Sequence, residues 1–462
     1  MKVLLLHPHN PLEGYHYPVP QVALGYLASA LKAAGHEVEV LDALLHGWDP
    51  DRTVEEIARR VPDVVGFRVW SHQVRAAERV AAGVRAAMPS AKLVIGGPHA
   101  TTDQEYFGRS PLWDFAIAGE AEEGFPLLLA HLSGSSVDLF RIPGLLRRTD
   151  QGVQANPLSQ VEDLDRFSVD WECLGLPGYH RKVARTTAYD HGRAKNAFLF
   201  MTRGCPYPCT YCAASITNGR RIRSHSAARV FDDIEHLYGR YGVRHFNLMD
   251  DNFTFRKETV MEFCDEFDRR RARIPGVTFH NPNGVRVDRL DREMLQRMKR
   301  AGWQWLHIGV ESGSEATLRR MKKRLDLRKA AENIALIREE GLKCWGFFML
   351  GFVGETREEI EATIQWAVDS RLHAATFSLF SPIPGTEVYR ELRASGEIPE
   401  DYLMTSYMSP KTKVWAQGLA PEDLLSYQRR ALLRFYSRPD RAWHLLRGMS
   451  PATVINRMRQ IF

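Results

Sequence analysis

The sequence predicts an α/β protein: an N-terminal doubly wound, Rossmann-like domain, then a partial (βα)6 barrel, then a helical C-terminal segment. Three observations predict it. Short runs of valine, isoleucine and leucine alternate with amphipathic stretches over the first 135 residues; a second alternating series starts near residue 196; and three of the six cysteines follow the first strand of that second series. Continuous apolar strands separated by amphipathic helices mark a parallel sheet covered on both faces.

In the first series the strands are KVLLLH, EVEVLDAL, DVVGFRVW, KLVIGG and DFAIAG. Helices are expected over Val22–Ala34, ended by Gly35, and over Ala76–Met88. Five such units suit a doubly wound domain over 1–135. From 136 to 195 the alternation breaks. GLLRRTDQGVQANPL suits a small hairpin with an Asp-Gln-Gly turn, and the stretch bearing Trp171 and Cys173 is expected to be irregular linker.

The second series, 196–397, has strands in NAFLFMTRG, HFNLMDDNF, TFHNPNGVRVD, WLHIGVESG, KCWGFFMLGF and AATFSLFSPIPG. Helices are expected over Ala227–Tyr241, Lys257–Arg271, Arg292–Ala301, Glu315–Gly341 with a break, and Arg357–Arg371. Six units make a partial barrel, short of the eight that close a full one. Residues 398–462 read as helical and basic.

The bulk numbers narrow the function classes. The chain has 462 residues, enough for two or three cores. Net charge is 62 − 56 = +6, too mild to suggest a nucleic-acid binder. No apolar run reaches the roughly 20 residues of a membrane span. The opening run MKVLLL ends at His7-Pro8, which reads as a buried strand rather than a signal peptide, so a cytoplasmic location is expected. Six cysteines in so long a chain do not make a disulfide scaffold, and their clustering favours metal or redox chemistry.

That cluster is RGCPYPCTYC, with Cys205, Cys209 and Cys212. In barrels and open α/β sheets, chemistry collects at the C-terminal strand ends, where this loop is expected. Iron–sulfur cubanes normally take four thiolates. Three would leave one iron open to a small molecule, as an open zinc position is in catalysis. The alternatives are a structural zinc site, with His225 as the nearest fourth ligand, and three unrelated buried thiols. Cys173, Cys264 and Cys344 read as structural.

The CxxxCxxC spacing with the aromatic Tyr211 resembles the signature of the radical S-adenosylmethionine (SAM) superfamily. The resemblance implies a [4Fe-4S] cluster held by Cys205, Cys209 and Cys212, whose open iron chelates SAM. It also implies one-electron cleavage of SAM to a radical that abstracts hydrogen from an unactivated carbon. Further positions match. In LMDDNFT, Asp250 and Asp251 stand where the family binds the SAM amino group, although an acid before a helix is also an ordinary cap. In GVESGSEATLRRMKK, Glu311 resembles the strand-end glutamate that contacts the SAM ribose or amino acid, with Gly309 and Ser312 beside it. A bare carboxylate after a buried run is costly unless paired. Arg286 either neutralises a SAM carboxylate or salt-bridges Asp288. GFVGET and SPIPGTEVY match the fifth and sixth strand ends.

The N-terminal domain resembles the cobalamin-binding domain of one large branch of that superfamily, through PQVALGYLASALKAAGHEVEVLDA, DVVGFRVWS, VIGGPHAT and AGEAEEGF. The implied cobalamin-binding residues are Ser71, Gly96, Gly97, Gly119 and Glu120. Glycine lets a backbone approach a nucleotide tail closely. One departure stands out: the Asp-x-His-x-x-Gly motif of corrinoid mutases is absent from HPHNPLEGY, and Asp42 and His46 have the wrong spacing. The implied cobalamin therefore lacks a histidine below the cobalt, and His99 is expected as a surface or outer residue.

Together the resemblances imply a cobalamin-dependent radical SAM enzyme, foremost a C-methyltransferase acting on a specialised metabolite. Porphyrin-cyclase-like ring formation or ring rearrangement with the same cofactors is the alternative, and a non-enzymatic cobalamin- or zinc-binding module is a third. Expected partners are a small-molecule substrate and an electron donor such as flavodoxin or ferredoxin. The segment from Leu424 carries eight arginines against one acid, Asp440. It reads as a packed helix with a basic face, with peripheral membrane contact as the functional alternative.

Overall fold

The computed structural model describes residues 1–9, 18–158, 160–183, 195–399, 402, 404 and 415–442. They fall into two compact units. The first comprises Met1–Lys182, Cys212–Arg223 and Pro382–Thr405, and the second Val183–Tyr211, Ser224–Ser381 and Ser406–Phe462.

The first unit is built on a seven-stranded sheet of order β2-β1-β3-β4-β5-β6-β7. Its strands are β1 (Lys2–His7), β2 (Glu37–Asp42), β3 (Val64–Arg68), β4 (Lys92–Gly96), β5 (Phe115–Ile117), β6 (Leu145–Thr149) and β7 (Gly152–Ala155). The first five pair in parallel. The order 2-1-3-4-5 is one of the two common doubly wound arrangements, with its switch point between β1 and β3. Helices observed at Val22–Ala33 and Val74–Ala87 lie within two residues of expectation. The expected hairpin forms, and β6 joins the sheet antiparallel to β5. The sheet therefore runs on past residue 135. The stretch after the hairpin, expected as irregular linker, packs: Trp171, Leu174 and Tyr179 are buried. Tyr179 donates to Asp42 at 2.6 Å, and Asp42 also caps the short helix Ala43–His46.

In the second unit, β8 (Asn196–Leu199) is followed by the two-residue strand β9 (Thr202–Arg203), and β10 (Arg223–Ser224) lies where the chain returns to that unit. Then come β11 (His245–Leu248), β12 (Thr278–His280), β13 (Trp305–Glu311), β14 (Lys343–Leu350) and β15 (Ala374–Leu379). The long strands form two parallel three-stranded sheets, β12-β11-β8 and β13-β14-β15. Parallel bridges Phe279–Trp303 and Val285–Ile308 join them. All six expected strands are present. The helices Ala227–Tyr241 and Arg292–Ala301 fall where their sequence signals place them. Ser226 and Asp291 cap their N-termini, and Gly242 and Gly302 end them at φ 72° and 108°. The expected break in Glu315–Gly341 separates helices Glu315–Arg320 and Leu327–Glu339. An aromatic core of Phe231, Phe263, Phe279 and Trp303 sits behind the first half-sheet.

The basic C-terminal stretch is a packed helix as far as it is described. Helix Pro421–Tyr436 buries Leu424, Ala431 and Phe435, and Arg430 and Arg434 pair with Glu361. Trp443 and Leu446 lie outside the described residues. No helix among the described residues is long and apolar enough to cross a membrane.

Candidate functional site

Cys205, Cys209 and Cys212 lie on the non-helical loop directly after β9, all half-buried and none in a disulfide. Burial pushes the Cys205 thiol up, helped by the charges of Asp251 and Cys209. Such a thiol gives up its proton when a metal replaces it, which couples cluster loading to pH. Cations surround the loop. Arg286 stacks over Tyr207 at 4.1 Å, and Arg289 donates to the Tyr207 hydroxyl at 2.9 Å. Lys323 stands 2.9 Å from Glu311. The Lys323 charge pulls the Cys205 thiol the other way, without overcoming its burial. By contrast, burial pushes the thiols of Cys264 and Cys344 up to about 12, which suits packing residues. Among the described residues no three His, Cys, Asp or Glu side chains gather into a single-ion site.

Asp250 ends β11 fully buried. It accepts from Met201 N at 3.3 Å, from Thr202 Oγ1 at 2.6 Å and from the Thr202 amide. Burial nevertheless raises its pKa to about 7. Asp250 thus ties the end of β11 to the backbone leading into the cysteine loop. Neither it nor Asp251 is an N-cap: Asn252 stands at the N-cap of the 3-10 turn Phe253–Phe255 and Arg256 at that of helix Lys257–Arg270, so the ordinary capping role is not realised. Asn252 was not foreseen. It is 2% exposed, and among the described residues neither its amide nitrogen nor its oxygen has a partner. Glu355, in GFVGET, is likewise buried. One oxygen accepts from Gly351 N and Phe352 N at 2.6 and 3.1 Å, while the other has no partner. Burial raises it to about 7. Buried polar atoms left orphaned at the ends of β11 and β14 suit a small polar ligand.

Glu311 ends β13 at φ 72°, in the left-handed region that non-glycine residues rarely adopt. A β-bulge separates it from Gly309. A Cβ at Gly309 would lie 2.7 Å from the Glu311 carboxylate, so the glycine makes room for it. Ser312 is spent on structure: its hydroxyl meets Thr363 Oγ1 at 2.9 Å and accepts from Ser314 N. Ser314 caps the following helix, its side chain accepting from Thr317 N. Arg286 adopts its salt-bridge alternative, with Nε and Nη2 each donating to Asp288 at 2.8 Å. Tyr211 contacts Phe352 edge-on at 6.3 Å and receives a 3.4 Å hydrogen bond from Lys323.

In the first unit the expected residues share one sheet edge, beyond the C-terminal ends of β3, β4 and β5. Gly97 has φ 88°, and a Cβ there would lie 3.0 Å from Val69 N. Gly119 has φ 80° and donates to Thr101 Oγ1 at 2.9 Å. Both are positive-φ positions that favour glycine, and at Gly97 a side chain would press on the Val69 backbone. Ser71 is buried, with its hydroxyl 3.2 Å from His99 Nδ1. Of the two readings of His99, at the surface or behind the residues that face the cofactor, burial removes the first. The residue is 1% exposed on helix Pro98–Thr102, and burial lowers its pKa to about 4, so it is a neutral core group rather than a surface residue. Glu120 is committed elsewhere. Its two oxygens take Arg223 at 2.6 and 2.8 Å and Val161 N at 2.6 Å, all buried. That pair fastens segment Cys212–Arg223 within the first unit. Spacing gave no hint of it, because the partners lie 103 residues apart.

The fold and the strand-end loops define a two-module α/β enzyme, with a three-cysteine loop at one sheet edge and a glycine cradle at another. Residues 199–367 match the radical SAM superfamily and residues 13–129 the B12 binding domain. The chain thus carries a radical SAM domain and a B12-binding domain, the pairing found in cobalamin-dependent radical SAM enzymes, and the two domains imply a [4Fe-4S] cluster, SAM and cobalamin as cofactors. It is 27% identical over 451 residues to an uncharacterized methyltransferase of Pyrococcus horikoshii, covering 95% of this chain and 93% of that one. It is 28% identical over 459 residues to cytidylyl-2-hydroxyethylphosphonate methyltransferase of Streptomyces wedmorensis, covering 87% and 84%. Its fold matches the radical SAM methyltransferase TsrM of Kitasatospora setae, solved with cobalamin and a [4Fe-4S] cluster, at TM-score 0.74 and 20% identity, covering 93% and 90%.

Proposed function

We propose that the protein is a cobalamin-dependent radical SAM C-methyltransferase acting on an unactivated carbon of a specialised metabolite. The observation that carries this is the pairing of a cysteine-loop barrel and a glycine-edged B12 module in one chain, in company with methyltransferase relatives that align along most of it. When bound, the cluster and SAM supply a hydrogen-abstracting radical and cobalamin supplies the methyl carrier.

The chain's own residues bind and orient. Cys205, Cys209 and Cys212 hold the iron. Asp251, Asn252 and Glu311 offer polar contacts to the SAM amino acid or ribose, with Tyr211 and Gly309 shaping the pocket. Asp250, Arg286 and Ser312 hold the surrounding loops rather than touching SAM. Gly96, Gly97 and Gly119 let the backbone approach cobalamin, beside Ser71, while Glu120 holds its neighbouring segment. We assign working modules of 1–135, 136–195, 196–397 and 398–462. The cleavage electron comes from a small flavodoxin- or ferredoxin-like donor, and a reducing cytoplasmic setting suits the free cluster thiols.

The test is product analysis on the reduced, cofactor-loaded protein with methyl-labelled SAM. Formation of both S-adenosylhomocysteine and 5′-deoxyadenosine is expected, because one SAM gives up its methyl group and another is cleaved. 5′-Deoxyadenosine alone would overturn methyl transfer in favour of ring formation or rearrangement.

A further inference from the structure

Among the described residues only four non-glycine residues have positive φ: Val61, Glu311, Lys322 and Arg324. Three of the four meet at one ion pair. Lys322 (φ 50°) and Arg324 (φ 51°) flank Lys323 in the turn between helices Glu315–Arg320 and Leu327–Glu339. Such backbone is strained for residues with a side chain, and it persists only when the surroundings over-determine it.

Arg286 supplies that determination. Its Nη1 donates to Lys323 O at 2.6 Å and its Nη2 to Arg324 O at 2.8 Å, while Asp288 holds the rest of the guanidinium. The turn delivers the Lys323 ammonium, on a residue only 7% exposed, to Glu311 Oε1 at 2.9 Å and the Tyr211 hydroxyl at 3.4 Å. Gly309 leaves the room: a Cβ there would lie 2.7 Å from Glu311 Oε1 and 3.1 Å from Lys323 Nζ. A buried lysine normally loses charge through desolvation. Here Glu311 and Cys209 outweigh that and raise its pKa, so the ammonium stays charged. A surface lysine would serve the fold as well. Two strained residues, a clamped turn and an omitted side chain converge on placing this one cation.

We propose that Lys323 is a positioning residue of the SAM site. Through the Arg286-clamped turn it holds the carboxylate of Glu311, whose backbone is strained, and sets a fixed positive charge against the cysteine loop at the Tyr211 hydroxyl. The proposal rests on the radical SAM reading.

The test uses the full-length, anaerobically reconstituted protein, with labelled SAM as the probe. It reads iron per chain, the SAM dissociation constant and the cluster midpoint potential. For Lys323→Gln we expect unchanged iron, SAM binding weakened about tenfold, the order of one charge-assisted contact, and a more negative potential. Lys323→Arg should recover most of both. Arg286→Gln should reproduce the Lys323→Gln defect, and the double variant should be no worse than Lys323→Gln alone. Wild-type SAM affinity and potential in an iron-loaded Lys323→Gln protein would overturn the proposal. So would additive defects, which would make Arg286 an independent SAM ligand. If Lys323→Gln fails to load iron, Arg286→Lys decides: it keeps the charge and loses the two-carbonyl clamp. Weakened SAM binding then supports the proposal and unchanged binding overturns it. A wild-type protein that takes up no iron would instead fail the radical SAM reading itself.

Discussion

The two sheet edges solve different problems with different materials. The edge beyond β3, β4 and β5 is made largely of backbone: Gly97 and Gly119 in left-handed conformations, and a neutral buried His99. Its charged pair, Glu120 with Arg223, is buried, with both Glu120 oxygens on the guanidinium and Arg223 Nε left without a partner among the described residues. The edge beyond β11, β13 and β14 is made of charge: Asp250, Glu311, Lys323, Glu355 and three thiols, with orphaned polar atoms on Asn252 and Glu355. A large cofactor gripped over a wide area needs close approach and few specific charges. A small zwitterion beside a cluster needs fixed dipoles and ions. The difference teaches that one edge is fitted by shape and the other by electrostatics.

The sharpest break in the comparison is Cys209→Ala. Iron uptake and SAM cleavage should both be lost, while cobalamin uptake by the first unit should persist; retained cleavage in an anaerobic assay would sink the cysteine assignment. Next comes the buried pair. Arg223→Ala leaves Glu120 charged and alone, which costs about 3–5 kcal/mol, and urea unfolding should show it. A loss below 1 kcal/mol would mean that the pair is solvated and holds nothing. Gly97→Val sharpens the shape argument. A β-branched residue at φ 88° stores about 1–3 kcal/mol of strain and fills the cradle, so cobalamin retained on gel filtration should fall while iron content stays whole. Equal retention would remove Gly97 from the cradle.

The smallest effect is on pH dependence, and it belongs to the charged edge. Burial raises Asp250 from 3.8 and Glu355 from 4.5, each to about 7. The folded state therefore binds these protons more tightly than the unfolded chain. Their contribution to stability is fully present below the ordinary values and is lost as pH rises through about 7. Thermal melts should fall across that window, and Asp250→Asn should flatten the slope. An unchanged slope would mean that Asp250 stays ionised throughout.

Most of the fold was legible because apolar runs and caps are local signals. The cysteine loop was legible because three ligands lie within eight residues, and Glu311 because a carboxylate after a buried run demands an explanation. Lys323 was not, since a lysine in MKKR reads as surface until the two left-handed residues beside it are seen. The committed state of Glu120 was hidden by the 103 residues separating it from Arg223. The surface reading of His99 arose because Gly96-Gly97-Pro98 suggests an open loop, where the chain forms a buried helical turn. The hairpin was found, but pattern alone does not say which sheet edge it extends.

The central claim is that one chain carries both a radical cluster and a corrinoid. The direct measurement is iron and cobalt per chain after anaerobic purification from cells supplied with cobalamin. About four irons, the content of one cubane, and one cobalt are expected. Four irons with no cobalt, even after reconstitution, would contradict it by removing the methyl carrier.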